Sequence, residues 1–165
     1  MSWHKRRQFM SLAGAALTTG LAGCTFTPAY APGGPAAALQ GAVRVESPTT
    51  KDGFDLVERL EERLGRPEAP RYTLVYQITT ERVGVGLTPE NATTRYHLRG
   101  KVTWQLTDMA GAKLAEGLAQ SFTSWSATGS TVSGLAAEED AGFRLMRILA
   151  DQIVTRLVAS AGSLP

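Results

Sequence analysis

The stretch Arg95-Tyr96-His97-Leu98-Arg99-Gly100-Lys101-Val102-Thr103-Trp104-Gln105-Leu106 decides the fold. Tyr96, Leu98, Val102, Trp104 and Leu106 share one parity. Arg95, His97, Arg99, Lys101, Thr103 and Gln105 share the other. Successive side chains of a strand point to opposite faces. Alternation this strict predicts a sheet with one buried and one open face.

Upstream, Tyr72, Leu74, Tyr76 and Ile78 alternate in the same way and predict another strand. The pattern slips near Glu81, where Val83 and Val85 take over the apolar register, so a bulge or bend is expected there. Thr88-Pro89-Glu90-Asn91 reads as the turn between the two strands. Downstream, Asp108 to Gly111 turns the chain into a weaker strand, from about Lys113 to Ser126. There Leu114, Leu118 and Phe122 are expected on one face. Val43 and Val45 mark a short strand at 42–46, closed by Ser47-Pro48.

Two helices complete the pattern. Val57, Leu60 and Leu64 recur at helical spacing from about Asp52, the expected N-cap, and Gly65 and Pro67 stop the run. After a loop over Thr128 to Gly134, Met146, Leu149, Ala150, Ile153 and Leu157 form the stripe of a long helix ending near Ser160. Its acids, Glu138, Glu139 and Asp140, precede Arg144, Arg147 and Arg156, an order that suits the helix dipole. The element order is therefore β-α-β-β-β-α. The expected fold is a two-layer α+β sandwich, with two helices packed on one face of a four-stranded mixed sheet. Its last three strands form an antiparallel meander. A single domain is expected over residues 41–161.

The N-terminus carries a different message. His4, Lys5, Arg6 and Arg7 precede a short apolar run, Phe9 to Leu21, too short to span a bilayer. Leu21-Ala22-Gly23-Cys24 resembles the lipobox of bacterial lipoproteins. Residues 1–23 are thus expected to be a removed signal peptide, with Cys24 taking a covalent lipid. Cys24 is the sole cysteine, so no disulfide competes for it. Arg6-Arg7-Gln8-Phe9-Met10 leaves the twin-arginine and general secretory routes both open. Residues 24–40, rich in Pro, Ala and Gly, read as a flexible lipidated tether.

Three of the 17 Lys and Arg fall within the signal, whereas all 15 Asp and Glu follow it. The mature chain is then nearly neutral and lacks the basic footprint of a nucleic-acid binder. It keeps one histidine, His97, set among basic neighbours on a strand. A single histidine without a free thiol falls short of a zinc site, and no Ser-His-Asp set can be assembled away from His97. Gly84-Val85-Gly86 precedes no helix of the kind a nucleotide fingerprint needs. No cofactor, metal or enzymatic activity is expected. The feature with ligand chemistry is the row Arg95, Arg99 and Lys101. Guanidinium groups so placed suit phosphates, although the same row also reads as a solvated strand face. Tyr96, Trp104 and Trp125 read as packing aromatics more readily than as a lipid groove.

Three features together resemble the LPS-assembly lipoprotein family LptE, particularly its alphaproteobacterial branch. They are Cys24-Thr25-Phe26-Thr27-Pro28-Ala29-Tyr30, the element order, and the final helix. That helix runs from Glu139-Asp140-Ala141 through Arg144, Arg147 and Leu149-Ala150-Asp151-Gln152-Ile153 to Arg156-Leu157. Thr25 departs from the glycine of that pattern. The resemblance implies an outer-membrane lipoprotein, anchored on the periplasmic side, that partners the LptD β-barrel, aids its assembly, and binds and helps move lipopolysaccharide. Arg95, Arg99 and Lys101 are then candidates for lipid A phosphates. The alternative is an auxiliary lipoprotein of another envelope lipid-trafficking, ABC-type system.

Overall fold

The computed structural model describes residues 28–89, 92–127 and 130–164. Four strands form one sheet in the order β1-β2-β3-β4: β1 Val43–Val45, β2 Tyr72–Leu87, β3 Thr93–Asp108 and β4 Lys113–Ser126. β1 runs parallel to β2, and β2, β3 and β4 form an antiparallel meander. Helix α1, Lys51–Leu64, connects β1 to β2, and helix α2, Thr131–Ser160, follows β4. The expected α+β sandwich, in the order β-α-β-β-β-α, is the observed one. α2 lies along β4 and β3, and α1 packs beside α2 and against β1.

The core is assembled from the inner parity of each strand and the apolar stripe of each helix. Val43, Tyr72, Leu74, Val102, Trp104 and Leu106 meet Leu56, Leu60 and Leu64 of α1 and Leu145, Met146, Leu149, Ile153 and Leu157 of α2. Gly100 sits on the inner face of β3, where a Cβ would lie 2.9 Å from the ends of both Leu145 and Leu149. The missing side chain lets α2 settle against the sheet.

Local chemistry sets several boundaries differently from the sequence pattern. The cap of α1 is Thr50, whose hydroxyl accepts from the Gly53 N–H at 3.1 Å. Asp52 stands two positions on, in the first turn, where its charge favours the helix N-terminus. α1 ends at Gly65, with φ of 76°, and its last carbonyls accept from the Gln40 side chain and from the Gly41 N–H. α2 starts at Thr131, capped by Ser130, within the segment expected to be loop.

β2 keeps register past Glu81 as far as Gly84, opposite Tyr96, and slips between Gly84, Gly86 and Leu87. On β4, Leu118 and Phe122 face away from the helices. Leu118 lies opposite Thr103 and Phe122 opposite Arg99, both on the open face, while Ala115, Gly117 and Ala119 take the inner one. Leu114 parts from them beside a register shift and packs against the core. β4 is an edge strand, and its free side is partly covered. The Gln152 amide of α2 accepts from the Gln120 N–H at 3.2 Å and donates to the Gln120 carbonyl at 3.1 Å. Packing also reaches back before Gly41, since Ala36 and Leu39 are buried and Leu39 joins the core.

Candidate functional site

Among the described residues no helix covers the outer face of the sheet. Each expected cation sits there by strand parity. Arg95 lies opposite Gly86 and Ser126, Arg99 opposite Glu81 and Phe122, and Lys101 opposite Thr79 and Gln120. All three are exposed. Arg99 and Lys101 are neighbours on that face at about 7 Å, and Arg95 stands two steps further along β3. Arg44 on β1 has the same outward parity, beside Thr73. Sequence reading passed over Arg44, although its place between Val43 and Val45 carried the signal.

Two hollows mark this face. One, of about 520 Å³, is lined by Thr79, Glu81, Arg99, Lys101, Gln120 and Phe122. The other, of about 540 Å³, is lined by Val75, Gln77, Thr103, Gln105, Glu116 and Leu118 among others. The first hollow joins two cations, one acid and an aromatic ring. Phe122 is 58% exposed and stacks on His97, with ring centres 5.1 Å apart. Leu118 and Phe122 thus supply the apolar surface beside the cations, and their outward placement is what sequence reading missed.

The charge pairing of the molecule is uneven. Among the described residues, Arg95, Arg99, Lys101 and Arg44 make no ion pair. On the helix side, by contrast, Arg59 donates to both Asp151 oxygens at 3.0 Å and to Glu62 at 2.8 Å. Arg147 adds a contact to Glu62 at 3.2 Å. The bonds to Asp151, then Glu62, raise the Arg59 pKa above its ordinary value. Hydrogen bonds from Arg59 and Arg147 hold the Glu62 carboxyl below its ordinary 4.5. These cations serve the α1–α2 contact, whereas those on the open face make no ion pair among the described residues.

The remaining candidates are placed as follows. Trp104 is 5% exposed and lies over Gly117 in the core, with its indole N–H unpaired among the described residues. Trp125 stacks on Tyr96 at 5.2 Å, and the Arg82 guanidinium covers Tyr96 at 5.5 Å. These aromatics are packing groups of the inner face. No cluster of metal-ligating side chains occurs among the described residues. Cys24, the signal peptide, and Glu90, Asn91, Thr128 and Gly129 of the expected turn and loop lie outside the described residues.

The lipopolysaccharide-assembly family LptE matches residues 41–157. The chain belongs to the LptE family. That span takes in all four strands and nearly the whole of α2. LptE proteins are assembly lipoproteins, and the family assignment carries this chain into lipopolysaccharide assembly at the cell envelope. Solved structures share the fold. A Caulobacter crescentus lipoprotein is 21% identical, with a TM-score of 0.66 over 78% of this chain and 97% of that one. A minor lipoprotein of Acinetobacter baumannii is 22% identical, with a TM-score of 0.54 over 75% of this chain and 92% of that one. Lipoprotein B of Nitrosomonas europaea is 17% identical, with a TM-score of 0.54 over 74% and 84%. No curated protein matches.

Proposed function

We propose that this LptE-family chain is an outer-membrane lipoprotein, of the alphaproteobacterial type. In this reading it is held on the periplasmic side by lipid on Cys24. It forms a complex with an LptD-type β-barrel, aids the barrel's assembly, and receives lipopolysaccharide on its way to the outer leaflet. The observation that carries the ligand part of the reading is the open sheet face, where Arg95, Arg99 and Lys101 stand exposed and unpaired among the described residues. Phosphates offer oxygens that two guanidinium groups and an ammonium can bind with charge-assisted hydrogen bonds. Phe122 and Leu118 flank them with apolar surface suited to the lipid part of such a molecule. Association with a barrel spreads contact over a large area, as in permanent complexes, and the turn at 88–91 and the segment 128–134, which takes in the first turn of α2, are its candidate contacts.

Depletion in cells tests the partner. The reading predicts less correctly assembled barrel, a weaker permeability barrier, and a β-barrel that co-purifies with the tagged lipoprotein from solubilised outer membrane. Normal barrel level and barrier, with an inner-membrane transporter co-purifying instead, would favour the ABC-type auxiliary role. Cys24→Ser tests the anchor. An unacylated precursor is expected, because a hydroxyl does not replace the thiolate as acceptor, and acylated mature protein from that variant would refute the assignment.

A further inference from the structure

The segment before β1 is attached to the body of the domain. Its N–H groups close successive turns: Ala31 to the Pro28 carbonyl at 3.1 Å, Gly34 to Ala31 at 2.7 Å and Ala36 to Ala29 at 2.9 Å. Gly34 is buried, and a Cβ there would lie 2.5 Å from the Ala29 carbonyl oxygen. Ala36 and Leu39 are each 1% exposed. Arg71 donates to the Ala38 carbonyl at 3.3 Å, Gln40 to that of Arg63 at 2.9 Å, and the Gly41 N–H to that of Leu64 at 2.8 Å. The chain is therefore folded on itself from Pro28 to Ala36 and held to the domain from Ala36 onward, as a collar.

Topology says which end wears the collar. The Ala42 carbonyl accepts from the Arg71 and Tyr72 N–H groups, and Tyr72 lies opposite Asp108. The collar thus shares one end of the sheet with the turn Asp108-Met109-Ala110-Gly111-Ala112. The other end, at Leu87 and Thr93, is a full 16-residue strand away, about 50 Å. From Pro28 back to Cys24 are four links, a reach of at most about 14 Å. Two exposed side chains at the collar end, Tyr30 at 53% and Met109 at 59%, suit the boundary between headgroups and acyl chains.

We infer that the collar end, with Tyr30 and the Asp108–Ala112 turn, is the bilayer-facing surface of the domain, and that the Leu87–Thr93 end projects away from the lipid. This rests on the reading of Cys24 as the acylated residue. The collar converts what composition describes as a loose leash into a short pivot. The acylated residue cannot leave the membrane, so the collar end stays at headgroup depth and the far end does not.

The test uses the full acylated protein purified from membranes and added to phosphatidylethanolamine–phosphatidylglycerol vesicles that carry a headgroup-depth quencher. Cys24 is the sole cysteine and its sulfur is occupied in this reading. A fluorophore can then be placed selectively through Met109→Cys or Leu87→Cys. Both variants should float with the vesicles, with the probe at 109 quenched several-fold more than the probe at 87. A long Gly-Ser insert between Thr27 and Pro28 leaves the collar intact and should erase most of that difference. Flotation with equal quenching, or stronger quenching at 87, overturns the inference and leaves the anchor assignment standing. Failure to float overturns both. A difference that survives the insert overturns the role of the short link.

Discussion

Replacing Gly117 by alanine should destabilise the domain through one ring. The β-carbon would lie 2.6 Å from Trp104 Cζ2, 2.8 Å from Cε2 and 3.0 Å from Nε1. Ordinary carbon contacts fall at about 3.5–4.0 Å, so the indole must retreat by about 1 Å. It has little room to do so, because Trp104 is part of the buried cluster that holds Leu74, Leu106 and Ala119. Overpacking of this kind costs about 1–3 kcal/mol. Alanine recovers about 0.4–1 kcal/mol by restricting the unfolded chain, since Gly117 has no left-handed backbone to protect. The net expectation is a loss of about 1–2 kcal/mol in urea unfolding of the mature chain, followed by far-ultraviolet circular dichroism. Trp104→Phe removes the atoms in conflict, together with the unpaired indole N–H. In that background Gly117→Ala should be neutral or slightly stabilising, which corresponds to a coupling of at least about 1 kcal/mol in the double-mutant cycle. An equal penalty in both backgrounds would refute the reasoning.

Two further predictions concern the helices. Thr50→Ala should cost about 1 kcal/mol through loss of the cap on Gly53, while Asp52→Ala should cost less than about half of that. Equal effects in thermal melts would return the cap to Asp52. The Glu62 carboxyl is held below its ordinary pKa by Arg59 and Arg147, so its contribution to stability is present above the unfolded value and lost as pH falls through the folded one. Glu62→Gln should therefore flatten the loss of stability below about pH 4.5, and an unchanged pH profile would contradict that assignment.

The alternation of residues 95–106 and the stripe of α2 made the architecture legible, because each is forced by burial on one side only. Burial also explains what was hidden. Val83 and Val85 suggested a slip at Glu81. α1 starts only at Lys51 and leaves that end of β2 exposed on both faces, so no face there demands apolar residues. On β4 the apolar signal is inverted. Trp104 and α2 fill the inner side, which leaves room only for Ala115, Gly117 and Ala119, while Leu118 and Phe122 stand outside. Thr50 and Asp52 are both capping types two positions apart, and only hydrogen-bond geometry separates them. Ala36 and Leu39 lay within a Pro-, Ala- and Gly-rich stretch whose composition concealed two well-buried side chains. The cationic row was legible by parity, but its lack of ion pairs among the described residues and its aromatic neighbour needed the structure.

The claim that the open sheet face receives the phosphates of lipopolysaccharide is tested most directly by binding of the purified protein to lipopolysaccharide. Wild type is compared with the triple variant Arg95→Glu, Arg99→Glu, Lys101→Glu. The three side chains point away from the core, so the melting temperature and circular dichroism should hold. The predicted result is binding that weakens with salt in the wild type and falls at least tenfold in the variant, about 1.4 kcal/mol or more. Equal affinity in a folded variant would contradict the account and return the row to a solvated strand face.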